Sequence, residues 1–359
     1  MSTGRLAFRT FLDDLRGKTV AIVYSFSNRV EPSVAWYDRW RSDVIVFFGR
    51  GVERLGAEPR YMDVETYIKA QGSRGEGPGD FVVNLHSGLN DLGCWPIISS
   101  LARWRRIPVA PCSSDVHIVG ERKDLANMLA AQAGLRVPQP FADECEPETL
   151  FVRKPRDLGM SRGLRILPRS ELDSDAFGSD IVQRLIPGYD ATVGVVRTPD
   201  GNYAVIGAQL LVPAQMGDTG WVFSEESKIA EDSGSASFSR RIVDVGQELS
   251  RMICDVCNRI GPSGHYRLDF RIQTSDPVGL ACLTPENAYF LEANPTPTVT
   301  GDGEFGAMVS DWLEAGGLKD SAGEATAEHL RSLGREATLV ALDLFSAARD
   351  LSEPRADVG

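Results

Sequence analysis

The sequence predicts an α/β protein whose first lobe is an open, largely parallel sheet and whose later lobes are of the α+β kind. Apolar segments of strand length alternate with segments of helical spacing over the first 115 residues, which is typical of such a sheet. Farther along, strands follow one another across short loops, which indicates smaller and mixed sheets. With 359 residues, the chain is long enough for two or three lobes and a sizeable core.

The first lobe, residues 1–115, is predicted to alternate strands with helices. In chain order, the predicted elements are a strand at Thr19–Tyr24, helical spacing over 33–56, a strand at 81–86, a helix at Ile97–Trp104 and a strand in the motif IPVAPC. Ligands of open parallel sheets collect at the carboxyl ends of the strands. Residues 25–33 and 86–92 are therefore candidates for a binding site.

A central lobe, residues 116–186, is predicted to follow a short connection at 113–116. Its helix covers residues 121–134 and ends at a glycine. A strand at 149–155 carries Lys154 to the loop RDLGMSRG, and the strand LRILP completes a hairpin. The glycines of that loop could present backbone N–H groups to a phosphate, although the loop by itself favours a plain hairpin turn.

The third lobe, residues 187–359, is predicted to begin at a hinge, where a Pro-Gly turn follows the strand at 180–186. A polar stretch at 214–237 carries Lys228 and indicates a mobile lid over a site. A lone lysine in a loop is also commonly a solvated surface group. Helices are predicted to close the chain over residues 325–348.

Two short strands of the third lobe carry candidate metal ligands. Glu292 and Asn294 are two residues apart in YFLEAN, and Arg267 and Asp269 are two apart in HYRLDFRI. Side chains two apart on a strand share one face. Carboxylate and amide oxygens suit Mg²⁺ rather than zinc, and a neighbouring arginine would neutralise charge on phosphates. Either strand alone is better explained as an amphipathic strand with a solvated polar face.

Composition and charge argue against several classes of protein. The formal net charge of −12 disfavours a nucleic-acid backbone as partner. We expect no membrane span and no secretory signal, because no apolar run approaches the required length. The six cysteines are scattered, and the one C-x-x-C pair lies on a predicted helix. This pattern indicates thiols in a reducing compartment, so we expect a cytoplasmic protein.

The order of these motifs resembles the ATP-grasp superfamily, specifically its D-alanine–D-alanine ligase branch, over residues 31–303. The resemblance implies an ATP-grasp fold with a Rossmann-like first lobe, a small central lobe and a catalytic third lobe. It also implies ATP as the nucleotide. The ATP-binding residues that it implies are Lys123 and Lys154, Ser161 and Gly163 of a glycine-rich flap, Gln183, Arg184 and Ile186 of a hinge at the adenine edge, Asp190 at the ribose and Lys228 at the γ-phosphate.

The same resemblance implies a metal site and further catalytic residues. The magnesium ligands that it implies, for two ions and with Mn²⁺ as an alternative, are Asp269, Glu292 and Asn294. Arg267 matches the arginine that steadies the tetrahedral intermediate, and Glu31 lies in EPSV, which matches the family's substrate segment. His86 lies in NLHSGLNDLG, which resembles a histidine-containing turn of the family. There it could orient a carboxylate or move a proton, or it could be a structural group whose hydrogen bonds are satisfied.

The activity that the resemblance implies is a two-step ligation of two small amino-acid-like molecules. A carboxylate attacks the γ-phosphate of ATP, and an amine then captures the acyl phosphate, which yields an amide and ADP. The flap and the lid would exclude water from the acyl phosphate. A homodimer formed through the first lobe is common in the family and is a further expectation.

Several positions depart from the family's pattern. Met160 stands where the flap serine is expected, and Ile229 stands where a tyrosine follows the lid lysine. Asp302 and Glu304 lie near the second-substrate position, where they would repel a carboxylate and attract a cation. They are equally well explained as loop acids that face water. We therefore expect an amide ligase of a specialised pathway that uses an amine other than D-alanine, and not the cell-wall enzyme.

Two alternatives stay open at this point. One is a ligase of the cycloserine type, which closes a single amino-acid derivative on itself. The mass of the product discriminates this case, because cyclisation loses water without adding a second unit. The other is a nucleotide-binding protein without turnover, against which the lysines, the metal ligands and Arg267 argue. Substitution of Glu292 would abolish ADP release only in an active ligase.

Overall fold

In the part of the chain that the computed structural model describes, three β-sheets follow one another. The structure describes residues 3–25, 42–71, 77–86, 94–142, 144–157, 159, 161–172, 177–178, 180–214, 221–224, 227, 238–297, 299 and 304–352. The predicted site residues that lie outside the described residues are Glu31, Met160, Lys228, Ile229, Asp302 and, for its side chain, Glu304.

The first sheet has four parallel strands in the order β2–β1–β3–β4, which confirms the predicted open α/β lobe. The central strand β1 reads TVAIVY, and its four middle residues are buried because helices cover both faces. The elements of this lobe are α1 (Thr3–Asp14), β1 (Thr19–Tyr24), α2 (Ser42–Arg54), β2 (Glu58–Asp63), α3 (Val64–Gln71), β3 (Phe81–Leu85), α4 (Ile97–Trp104) and β4 (Val109–Ala110).

Three elements of this lobe were not predicted, namely α1, β2 and α3. The strand β2 reads EPRYMD and has one buried residue, Met62, so it lacks the apolar run that marks a central strand. It lies at the edge of the sheet, where exposed and charged side chains are usual. Because β2 is polar, its sequence lacks the apolar run from which a strand is predicted.

The second sheet has three antiparallel strands in the order β6–β5–β7. β5 and β6 pair antiparallel across the glycine-bearing loop, which confirms the predicted hairpin. The small core of this sheet contains Phe151, Leu172 and Val182. The elements over residues 114–184 are α5 (Ser114–Glu121), α6 (Lys123–Gln132), β5 (Leu150–Pro155), β6 (Arg165–Pro168) and β7 (Asp180–Arg184).

The helix predicted over residues 121–134 is wrong at its start. α5 ends at Glu121 and α6 begins at Lys123, while Arg122 between them is extended, with φ −80° and ψ 97°. The predicted connection at 113–116 contains the N-cap and the first turn of α5. The Arg122 guanidinium donates to the Asp124 carboxylate at 2.7 Å, and this ion pair stabilises the break between the helices.

The third sheet has six strands in the order β12–β10–β9–β8–β11–β13. The strands are β8 (Tyr189–Arg197), β9 (Tyr203–Pro213), β10 (Phe238–Val245), β11 (His265–Ile272), β12 (Cys282–Leu283) and β13 (Ala288–Asn294). The helices are α7 (Gln247–Ile260), α8 (Glu304–Glu314), α9 (Lys319–Ala322), α10 (Glu324–Leu333) and α11 (Arg335–Ser352). The last two confirm the predicted closing helices.

The two faces of the third sheet differ in character. One face packs on α7, and its apolar side chains include Val193, Leu210 and Leu268. The other face packs on α8 at one end, where a Cβ on Gly194 would lie 2.9 Å from the sulfur of Met308. The absence of a side chain at Gly194 therefore lets the helix approach the sheet. The rest of this second face carries the polar residues described below.

Two general findings concern the described part of the chain. No helix in it has the length and the apolar character that crossing a bilayer would require. The cysteines of the C-x-x-C pair, Cys254 and Cys257, lie on α7 as free thiols, as the helical spacing predicted.

Candidate active site

A row of polar side chains crosses three strands of the third sheet on the face away from α7. The strand register places Thr192 of β8 opposite Asp269 of β11, and Asp269 opposite Glu292 of β13. Directly opposite residues have Cβ atoms about 4.5–5.5 Å apart, so these three side chains are neighbours. The pairing between β11 and β13 shifts just after Asp269, so Leu291 is an extra residue, as in a β-bulge.

Two further pairs flank this row on the same face. Arg267 lies opposite Asn294 on one side, and Arg271 lies opposite Asp190 on the other. Arg267, Asp269 and Arg271 alternate along β11, and therefore all three project from one face. The sheet thus carries carboxylates, amides and guanidinium groups together on a surface whose reverse is apolar.

The two carboxylates of the row are the candidate magnesium ligands. Two like charges directly opposite each other are destabilising unless cations lie beside them. Arg267 donates to Asp269 at 2.8 Å, and the Lys123 ammonium lies 3.5 Å from Glu292. Within the described residues, no group of three or more His, Cys, Asp or Glu side chains could hold a metal. A metal site here therefore needs the amide oxygen of Asn294 as its third protein ligand, and such hard oxygen donors fit Mg²⁺.

The Asp269 carboxylate is oriented by two neighbours. Arg267 contributes two hydrogen bonds, at 3.1 Å and 2.8 Å. Thr192, whose side chain is buried, donates its hydroxyl proton to Asp269 at 2.8 Å. Asn294 accepts a hydrogen bond from the backbone N–H of Thr296 at 2.9 Å, which orients its amide oxygen. Protein hydrogen bonds therefore orient the oxygen atoms of Asp269 and Asn294, the candidate metal ligands.

The N-terminus of α6 brings Lys123 to the row from the central lobe. Asn127, one turn farther along the helix, donates to the Lys123 carbonyl at 2.7 Å and to the Leu291 carbonyl at 2.9 Å. The helix is thus bonded to the bulge in β13. Burial raises the pKa of the nearby Glu121 to about 8, although Lys123 opposes this shift. A protonated Glu121 adds no negative charge beside Glu292 at pH 7.

Lys154 lies at the end of β5 and is buried. Burial lowers the pKa of Lys154 to about 8, and the charge of Glu292 opposes that shift while the charge of Lys123 adds to it. Two lysines that repel each other near a carboxylate form a site that a polyanion would stabilise. Contact of both lysines with phosphates stays a prediction.

The hinge residue Gln183 presents a fixed carboxamide. Its side-chain nitrogen donates to the Asn127 side chain at 3.2 Å and to the Pro138 carbonyl at 3.3 Å. With the nitrogen engaged in this way, the oxygen is the atom left to accept a hydrogen bond. An acceptor in this place suits the exocyclic amino group of adenine. Arg184, next in the chain, is exposed, and its backbone N–H donates to the Gln139 carbonyl.

Arg271 joins the hinge to the predicted ribose-binding acid. Its guanidinium donates to the Ile186 carbonyl at 2.9 Å and to Asp190 at 3.0 Å. The second oxygen of Asp190 accepts the backbone N–H of Phe223 at 2.6 Å. Both oxygens of Asp190 are thus engaged in this structure. The hinge and residues 221–224 are thereby held against β8.

The glycine-rich loop contacts the same segment. The Ser161 hydroxyl donates to the Phe223 carbonyl at 2.9 Å. Ser161 has φ +58° and Gly163 has φ +67°, so the loop turns through left-handed backbone that glycine adopts readily. Phe223 therefore connects the loop after β5 with Asp190 on β8.

His86 lies at the carboxyl end of β3, in the first sheet. The Ser25 hydroxyl and His86 Nδ1 are hydrogen-bonded at 2.7 Å, and both residues are buried. Burial lowers the pKa of His86 to about 4, although a hydrogen bond to the Cys94 backbone opposes the shift. The imidazole is therefore neutral at pH 7, which suits orientation of a substrate group better than charge neutralisation.

Comparison with solved structures gives the fold. The D-alanine–D-alanine ligase from Bacillus anthracis complexed with ATP superimposes with a TM-score of 0.58 at 12% identity, covering 94% of this chain and 98% of that one. VanG D-Ala:D-Ser ligase from Enterococcus faecalis gives a TM-score of 0.57 at 17% identity, and the match covers 90% of this chain and 100% of that one. The chain has the ATP-grasp fold.

A third ATP-grasp neighbour agrees with these two. D-alanyl-alanine synthetase A from Vibrio cholerae O1 biovar eltor str. N16961 gives a TM-score of 0.56 at 14% identity, covering 90% of this chain and 99% of that one. No protein-family model and no curated protein sequence matches the chain. At these low identities, the similarity shows the fold alone.

The ATP-grasp structure brings together most of the described residues that the sequence predicted for the site. The predicted residues that surround the polar row or the hinge are Lys123, Lys154, Gln183, Ile186, Asp190, Arg267, Asp269, Glu292 and Asn294. Their roles toward nucleotide and metal stay predictions. The side chain of Arg184 is exposed, and its backbone N–H donates to Gln139. Ser161 and Gly163 belong to the loop that contacts Phe223.

The sequence reasoning missed three residues of the site. Arg271 continues the alternation of Arg267 and Asp269, so the same period-two pattern could have found it. Thr192 and Asn127 carried no comparable signal. Their roles depend on which strand or helix lies next to theirs, and that is decided by tertiary packing.

Proposed function

We propose that the protein is an ATP-dependent ligase that joins the carboxylate of one small amino-acid-like molecule to the amine of another. The observation that carries this proposal is the facing pair Asp269 and Glu292, flanked by Arg267, Lys123 and Lys154 on an ATP-grasp fold. The two carboxylates, with Asn294, would hold magnesium, and the three cations would surround the triphosphate.

The cations of the site are placed to neutralise phosphate charge. Arg267 pairs with Asp269, and Lys123 lies beside Glu292. A bound triphosphate offers these cations stronger anionic partners. Magnesium, when bound by the carboxylates, supplies further charge neutralisation to the phosphate oxygens. Arg267 would then stabilise the negative charge that develops when the amine attacks the acyl phosphate.

The glycine-rich loop is suited to exclude water from the reactive intermediate. An acyl phosphate hydrolyses unless water is kept away from its carbonyl carbon. The hydrogen bond from Ser161 to Phe223 holds this loop against residues 221–224, next to the hinge. A loop in this position would cover the phosphates once nucleotide is bound.

The proposed substrates differ from those of a D-alanine–D-alanine ligase. The polar residues expected at the flap and after the lid lysine are replaced by Met160 and Ile229, and Asp302 and Glu304 lie near the second-substrate position. Acidic groups there would disfavour an acceptor that carries a free carboxylate. We infer that the acceptor molecule is cationic or lacks a free carboxylate, and that the enzyme serves a specialised pathway. A homodimer through the first lobe remains part of this proposal.

The decisive experiment is a substrate panel with a matched pair of variants. Release of ADP and phosphate is measured across acids and amines, and the product is identified by mass spectrometry. We expect turnover with at least one pair, and we expect Glu292→Gln to abolish it. Glu286→Gln is the control, because Glu286 is exposed on the turn before β13. It should retain full activity.

The outcomes separate the parts of the proposal. ADP release that survives Glu292→Gln would contradict the ligase site. Strongest turnover with two molecules of D-alanine would contradict the proposed substrate class. A product that has lost water without gaining a second unit would identify a cyclising ligase.

A further inference from the structure

Gln209 extends the polar row by one strand. β9 pairs with β8 so that Gln209 lies directly opposite Thr192, which places both side chains on the same face of the sheet. Its neighbour Leu210 belongs to the apolar core under the other face. The row therefore runs over four strands, from Gln209 through Thr192 and Asp269 to Glu292.

The amide oxygen of Gln209 is buried without a hydrogen-bond donor among the described residues. The residue is 7% exposed, and its Oε1 accepts no hydrogen bond from any residue that the structure describes. Thr192, directly opposite, gives its hydroxyl proton to Asp269 instead. Burial of an unpaired amide oxygen costs free energy, because the oxygen loses its hydrogen bonds to water. Such a cost is expected where a ligand supplies the missing donor.

Gln209 lies at the end of the row that is farthest from Glu292. Adjacent strands are about 4.8 Å apart, so β9 lies about 10 Å from β11, which carries Asp269. Gln209 therefore lies on the same face of the sheet as the carboxylates, at about the width of one small molecule from Asp269.

The chemistry of the unpartnered Gln209 oxygen limits which group of a ligand could bind it. A carboxamide oxygen accepts hydrogen bonds, while phosphate oxygens and a carboxylate at neutral pH are acceptors themselves. Of the groups in the proposed reaction, the amine is the one that brings N–H donors. We propose that Gln209 binds the acceptor amine through its amide oxygen, and this inference rests on the proposed ligase function.

A neutral amide is suited to this role. The nitrogen must attack as a free amine, with its lone pair directed at the acyl carbon. One N–H group bonded to Gln209 would orient the lone pair without favouring the ammonium form, as a carboxylate would. In the step itself, the C–N bond forms and the bond from carbon to the phosphate oxygen breaks. Inorganic phosphate departs with the bonding electrons and takes up the N–H proton.

Two variants of Gln209 test the proposal, with Gln247→Leu as the matched control on the exposed N-terminus of α7. The assay uses the acid found in the substrate panel, with hydroxylamine as the amine probe. We expect Gln209→Leu to raise the KM for hydroxylamine about tenfold, because one hydrogen bond to the amine is lost. The affinity for magnesium and a non-hydrolysable ATP analogue, measured by calorimetry, should change less than about twofold.

Gln209→Glu distinguishes an acceptor role from a donor role. A carboxylate keeps the acceptor but favours the ammonium form, so the pH profile of kcat/KM for hydroxylamine should move to higher pH. A change that only affected packing would leave this profile in place. Thermal melting of all three variants establishes that each is folded.

Each other result overturns the inference. An unchanged KM in Gln209→Leu would show that the carboxamide does not touch the amine. Loss of nucleotide affinity in Gln209→Leu or Gln209→Glu would place the carboxamide on the phosphates instead. Absence of turnover by the wild type with every pair in the panel would refute the ligase function itself, and this inference with it.

Discussion

Replacement of Arg271 by methionine would test whether one buried guanidinium holds the nucleotide hinge to the third sheet. The Arg271 side chain is 3% exposed, and it donates to the Ile186 carbonyl and to Asp190. Methionine has a similar length but no donor. The substitution leaves Asp190 without its cation and the carbonyl of Ile186 without its partner.

The size of the effect follows from the burial of the pair. Removal of one partner from a buried ion pair costs about 3–5 kcal/mol, because the other charge stays buried. The Asp190 side chain is 16% exposed and keeps the N–H of Phe223 at 2.6 Å. We therefore expect the lower end of that range, about 3 kcal/mol of unfolding free energy. Asp190→Asn in addition should recover part of this loss.

The measurement is urea denaturation of Arg271→Met, Asp190→Asn and the double variant, which together form a double-mutant cycle. Arg259→Met is the matched control, because Arg259 and Asp255 form a half-exposed pair on α7 and should contribute less than about 0.5 kcal/mol. If Arg271→Met cost no more than Arg259→Met, the ion pair would not hold the hinge. A coupling energy near zero would lead to the same conclusion.

Three further predictions concern titration and base recognition. The pKa of Lys154 is about 8 in the folded protein, whereas the ordinary pKa of a lysine is 10.5. Between pH 8 and pH 10.5, the unfolded chain therefore binds more protons than the folded protein does. The free energy of unfolding should rise across that window, and Lys154→Met should remove the rise in urea titrations; an identical slope would contradict the assignment. The pKa values of His86 and His117 are both about 4, below the ordinary 6.5. Stability should therefore fall as the pH drops from 6.5 to 4, and a double glutamine variant that kept the full fall would disprove this. The amide oxygen of Gln183 should favour ATP over inosine triphosphate about tenfold in calorimetric binding, since the keto group of inosine cannot donate to it. Equal affinities in the wild type would rule out this contact.

Much of the site could be predicted because the pattern of a strand is local. Side chains two apart share a face in any pleated strand, so Arg267 and Asp269 had to project together, as did Glu292 and Asn294. The chemistry of magnesium and phosphate could then be inferred from the residue types. The parallel first sheet and the glycine-bearing hairpin followed from equally local signals.

Other predictions failed where a local signal was weak or ambiguous. The edge strand β2 is too polar to resemble a buried strand, and the break at Arg122 interrupts a segment whose spacing is helical on both sides. In both places, contacts with the rest of the molecule decide the conformation. At Arg122, the ion pair with Asp124 helps the chain to turn so that Lys123 meets β13.

The sequence by itself determined which functional groups this chain carries, namely carboxylate and amide oxygens two apart on strands, together with arginines and lysines. Only the tertiary structure decided which groups are neighbours. The register that sets Asp269 against Glu292, and Gln209 against Thr192, joins strands that are distant in the chain. Such register depends on how both faces of the sheet pack against α7 and α8, and no short stretch of sequence contains that information.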